Sequence, residues 1–107
     1  MELDNLNVLE PKFHDEMLNI YDTAKTECNY IATRFYQMVL EHGGLNAAKQ
    51  LLAGDISEGI KRLWEENRLD ISMEATIIQD PWHKLFSDNE LAIARKRLND
   101  LGYYEYI

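Results

Sequence analysis

Side chains able to do chemistry are few in this chain, and their spacing is loose. His14, His42 and His83 are the three histidines. None belongs to a His-x-x-x-His or His-Glu-x-x-His pair, the spacing that sets two metal-binding or proton-moving groups on one helical face. His42 falls at the end of a predicted helix, where a cation complements the dipole. His14 is one residue off an apolar stripe, and His83 follows Trp82 in a turn. Cys28 is the only cysteine, so it forms neither an internal disulfide nor a cysteine zinc cluster. Its apolar helical face predicts a small buried hydrophobe. There is no Gly-x-Ser-x-Gly elbow and no glycine-rich phosphate loop. No catalytic set, metal site or cofactor is read from these residues.

Two denser constellations remain. In Trp64–Glu74, Arg68 is placed to bridge Asp70 or Glu74 at a junction of two helices. A partly buried guanidinium there needs such a partner, so Arg68, Asp70 and Glu74 are read as a fold-fixing ion pair or, alternatively, as an enzyme site. The second is a helix–Gly43-Gly44–helix unit over residues 30–53, which has the outline of a helix-turn-helix. Its second helix offers Asn46, Lys49 and Gln50 to base edges, and Lys61 and Arg62 could add phosphate contacts. The unit is poor in the positive charge that phosphate binding requires, and a plain helical hairpin has the same pattern.

The elements that must position these residues are all predicted helical. Residues 1–10 are expected as an extended lead-in in which Leu3, Leu6, Val8 and Leu9 pack across the domain. Pro11 is expected as the first residue of a helix over about 11–27, with Phe13, Met17, Ile20, Tyr21, Ala24 and Cys28 on one stripe. A second helix over about 30–42 turns Ile31, Phe35, Met38 and Val39 inward, and Gly43-Gly44 stops it. A third, over about 45–53, carries Leu45, Ala48, Leu51 and Leu52. Ser57 caps a fourth over about 57–67, with Ile60, Leu63 and Trp64 inward. Ser72 caps a short fifth helix over Met73–Ile78, for which a strand is the alternative. Trp82, Leu85 and Phe86 make a helical turn. Ser87 and Glu90 form a capping box for a last helix over about 88–101, ended by Gly102. The expected fold class is all-α, a compact bundle of about six short helices in one domain, with an aromatic tail over residues 103–107.

Bulk properties narrow the function classes. The chain has 107 residues and a net charge of −8, a sign that opposes non-specific phosphate binding. Residues 1–24 carry six acids and one base, residues 25–68 six of each, and residues 69–107 seven acids and four bases. The acid excess therefore lies at the ends. No apolar run approaches the roughly 20 residues of a membrane span, and the first residues lack the positive-then-apolar order of a signal peptide. A cytoplasmic location is expected.

Several runs together resemble a family of small uncharacterised bacterial proteins. They are Thr33-Arg34-Phe35, Gln37-Met38, Glu41-His42-Gly43-Gly44, Ala48-Lys49-x-Leu51-Leu52, Ser57-x-Gly59, Leu63-Trp64, Arg68-Leu69-Asp70, Glu74-Ala75, Leu85-Phe86-Ser87-x-x-Glu90-Leu91, Ala94-Arg95-x-Arg97-Leu98 and Gly102-Tyr103. The resemblance spans about residues 13–103. It implies a bacterial or phage origin and a complete domain, and it brings no activity and no site residues. The acidic ends and the aromatic tail favour a non-enzymatic module with a protein partner, of which an acidic inhibitor that mimics nucleic acid in a phage or defence setting is one form. Nucleic-acid binding through residues 30–68 is the alternative, and an enzyme near Arg68, Asp70 and Glu74, using His42, is the third. Tyr103, Tyr104 and Tyr106 suit a dimer surface or intramolecular packing equally, so the oligomeric state is open.

Overall fold

Six α-helices and two 3-10 turns make up the computed structural model, which describes residues 6–55 and 58–104. The helices are α1 (Leu6–Cys28), α2 (Thr33–His42), α3 (Gly44–Ala53), α4 (Glu58–Glu65), α5 (Met73–Ile77) and α6 (Asp88–Asp100), with 3-10 turns at Leu69–Ile71 and Trp82–Leu85. No strand occurs among the described residues. The fold is the all-α bundle that the helical spacing predicts. None of the described helices is long and apolar enough to cross a membrane.

The first helix is longer than expected. It begins at Leu6, so residues 6–10 are helical rather than extended, and Pro11 lies inside the helix rather than at its start. The reason is Leu9, which is buried and extends the stripe Phe13, Met17, Ile20, Ala24 and Cys28 by one more turn. Burying a leucine contributes about 1.5–3 kcal/mol, and Pro11 lacks only the N–H that would reach the Asn7 carbonyl near the helix start. Leu6 and Val8 remain exposed. The readings on Leu3, Ser57 and Tyr106 lie outside the described residues.

Helix ends follow the local chemistry. Asn29 takes a left-handed φ of 55°, and the Tyr30 N–H donates back to the Ala24 carbonyl at 3.0 Å, which closes α1. The chain then runs irregularly to Thr33, so α2 starts later than expected and Ile31 is exposed rather than inward. Gly43, at φ +85°, ends α2 with its N–H on the Val39 carbonyl. Gly44 already belongs to α3. On α4, Ile60 and Leu63 are buried, whereas Trp64 is half exposed, against the sequence expectation. Residues 73–77 are helix and not strand: the Ser72 hydroxyl accepts from the Ala75 N–H at 3.1 Å and donates to the Leu69 carbonyl at 2.7 Å. The capping box of α6 is complete, with Glu90 N–H on Ser87 Oγ and Ser87 N–H on Glu90 Oε1.

Two apolar clusters hold the bundle. The larger joins Leu9, Phe13, Met17 and Ile20 of α1 to Val39, Ala47, Ala48, Leu52, Met73, Ile77, Phe86, Leu91 and Ala94. The smaller gathers Ala24, Cys28, Ile60, Leu63, Leu69, Ala75 and Leu98, with Tyr103 packed against it. Cys28 is buried, as its stripe position predicts. Tyr104 is exposed and donates its hydroxyl to the Asn99 carbonyl.

Candidate functional site

Helix α5 is too short to own a solvent face, and all five of its residues are buried. One of them is Glu74, whose side chain is 3% exposed. A carboxylate at that depth needs a partner, and Arg97 of α6 supplies it: Nη1 donates to Glu74 Oε2 at 3.1 Å. The other end of the guanidinium closes a helix terminus. Nη2 donates to the carbonyls of Leu51, Leu52 and Gly54 at 3.1, 3.3 and 2.8 Å. These are the carbonyls that α3 leaves without intrahelical partners. Burial pushes the Glu74 carboxyl above the usual carboxylate range, against the opposing pull of its own backbone N–H and of Arg97. Arg97 thus ties α3, α5 and α6 together. The sequence carried a signal for this: Arg97 lies three residues after Ala94 and one before Leu98, on the buried side of α6, where an arginine requires an internal acceptor.

Of the two bridges expected for Arg68, the one to Asp70 forms and the one to Glu74 does not. Arg68 donates to Asp70 Oδ1 at 3.1 Å and to Glu27 Oε1 at 2.7 Å, on the surface of the bundle. Hydrogen bonds to Asp70 and then to Glu27 raise the Arg68 pKa further. The constellation divides into a surface pair (Arg68 with Asp70) and an interior pair (Glu74 with Arg97), because α5 turns Glu74 toward α6.

The histidines stay apart. His14 Nδ1 accepts the N–H of Gly44 at 2.9 Å and so caps the start of α3 from α1. A Cβ on Gly44 would stand 2.6 Å from the His14 Cα, which is why a glycine begins α3. His42 lies beside Glu41, and His83 faces Asp80. Among the described residues no three His, Cys, Asp or Glu side chains form a group able to hold a metal.

The helix-turn-helix candidates are partly engaged in the fold. Lys49 Nζ sits 2.8 Å from Glu90 Oε1 and 5.0 Å above the Phe86 ring. With Ser87 it offsets the desolvation of Glu90 and holds that carboxyl below its ordinary range. Arg62 pairs with Glu66 at 3.3 Å and lies 5.0 Å from the Tyr30 ring centroid. Asn46, Gln50 and Lys61 are exposed.

A half-open groove of about 640 Å³ opens on the described surface. It arises because α2 leans on α1 and α3, while α4 leans on the 69–71 turn. Ile20, Tyr21 and Ala24 of α1 form its floor, Phe35 and Met38 of α2 one wall, and Ile60 and Leu63 of α4 the other. Exposed Ile31 stands at its edge. Tyr21 stacks on Tyr36 with ring centroids 4.4 Å apart, which steadies the floor. The charged lining residues Arg34, Asp55 and Glu58 are exposed and have no ion pair among the described residues. Glu74 reaches the lining but is already held by Arg97, and neither Arg68 nor Asp70 belongs to it. Sequence reasoning missed this site because its signal lies in the gap between two helices, and helical periodicity assigns Ile31 inward. Comparison of the chain with known protein families, curated proteins and solved structures finds no match, so the candidate site stands on its own geometry.

Proposed function

We propose that this protein is a non-enzymatic interaction module that receives a segment of a partner protein in the groove between α2 and α4. The observation that carries the reading is a groove of about 640 Å³ with a mainly apolar lining, edged by exposed Ile31 and by Arg34, Asp55 and Glu58, which have no ion pair among the described residues. Mainly apolar concavities of this size, with polar groups at their margins, are where proteins place ligands and partner side chains. The nucleic-acid reading is weaker, because Lys49 and Arg62 already have acidic partners. Acidic mimicry of nucleic acid is weaker too, since Glu27, Asp70, Glu74, Glu90 and Asp100 each face a base. An enzyme near Glu74 would need that carboxylate free, and Arg97 occupies it.

The test is affinity capture from bacterial lysate with wild type, Ile31→Glu and a distant surface control, Lys96→Ala. Ile31 is 57% exposed, so a glutamate there leaves the core intact. A partner retained by wild type and the control but lost with Ile31→Glu supports the reading. Capture indifferent to Ile31→Glu, or no specific capture at any salt concentration, overturns it.

A further inference from the structure

Deepening that reading, and resting on it, we infer that the segment received is an amphipathic helix with a basic flank. Two features of the groove select this occupant. Its lining comes from α1, α2 and α4, from the irregular stretch 30–32, and from Leu51, Asp55 and Ser72–Glu74, and no strand edge is present among the described residues. An extended peptide laid there would find no strand edge to pair with along its length, so most of its own N–H and C=O groups would face side chains, many of them apolar. A helix satisfies those groups internally and offers only side chains, spaced to reach one apolar stripe.

Charge selects the flank. Asp55 and Glu58 line the groove, neither with an ion-pair partner among the described residues, while Glu74 is held by Arg97 and Arg34 is the basic lining residue. The net charge of the whole chain, −8 with its excess in residues 1–24 and 69–107, has the same sign. A field of that sign attracts and orients a cationic segment, whereas like charges placed opposite one another are penalised. The same field opposes a second copy of this chain as the occupant. A small apolar molecule would fill the floor but leave Asp55 and Glu58 unanswered.

The experiment titrates the isotope-labelled full chain with three synthetic helical peptides that share one leucine face and differ only in polar face: lysine, glutamine or glutamate. Amide shifts are followed at Ile31, Phe35, Met38 and Ile60. The lysine peptide is expected to shift these positions with an affinity at least about tenfold above the glutamate peptide, a difference that salt reduces. The Asp55→Asn/Glu58→Gln variant should lose most of that preference while still binding the glutamine peptide. Equal binding of all three peptides in the groove overturns the basic flank and leaves the groove reading standing. A preference unchanged in the double variant also overturns it. No groove shift with any peptide removes the helical occupant, and the groove reading is then judged separately by the Ile31→Glu capture result. Light scattering at the titration concentrations identifies self-association, which would replace the inferred partner by a second copy.

Discussion

Replacing Arg97 by methionine tests the interior of this fold most directly. The substitution keeps an unbranched chain in place but removes four hydrogen bonds at once. Glu74, 3% exposed, loses its cationic partner; breaking a buried pair from one side costs about 3–5 kcal/mol. The Leu52 carbonyl, bonded to Arg97 in the interior, is left without that donor, which adds about 1–3 kcal/mol. The Leu51 and Gly54 carbonyls are only partly buried and can turn to water. The sum is about 4–8 kcal/mol, against a total stability on the order of 5–15 kcal/mol for a domain of this size. Arg97→Met should therefore unfold at far lower urea, or fail to fold at pH 7, by far-UV circular dichroism. The companion variant Glu74→Leu/Arg97→Met removes the stranded carboxylate and should recover at least about 2 kcal/mol relative to Arg97→Met alone. A cost below about 1 kcal/mol for the single change, or no recovery in the double, would refute the assignment of Arg97 as the tie between α3, α5 and α6.

Other outcomes follow from the same contacts. Gly44→Ala gains about 1 kcal/mol of helix propensity, but its Cβ would meet the His14 backbone at 2.6 Å; a net loss of about 1–2 kcal/mol is expected in urea melts, and a stabilised variant would contradict the close approach. Two carboxylates titrate with opposite signs. Glu74 is raised in the fold, so the native state holds its proton more tightly than the unfolded chain, and stability relative to Glu74→Gln should fall as pH rises above about 4.5. Glu90 is lowered, so its stabilisation is present above the unfolded value and should be lost as pH falls through the folded one, a loss absent from Glu90→Gln. Melting curves of the three proteins from pH 3 to 7 (roughly the carboxylate range) separate the two. Arg68→Ala should leave the melting temperature essentially unchanged, because its ion pairs with Asp70 and Glu27 are solvent-exposed. Cys28 should react with a thiol reagent only once denaturant opens the bundle.

The sequence by itself determined the helices and most of their ends. Steps of three and four in Phe13, Met17, Ile20, Ala24 and Cys28 place one stripe on the core, and the stripe is buried in the fold. Asn29, Gly43, Ser72, Ser87 and Gly102 act through local backbone geometry and hydrogen bonds, which depend only on neighbours in sequence. Tertiary structure decided what periodicity cannot weigh. Burial of Leu9 carried α1 past Pro11, and Ile31 fell outside the core because α2 begins only at Thr33. The partner of Glu74 proved to be Arg97, 23 residues away, rather than Arg68. Two residues so separated meet only through the docking of α5 on α6. The groove is likewise a property of how α2 and α4 stand apart, so its residues could be named only after the helices were packed.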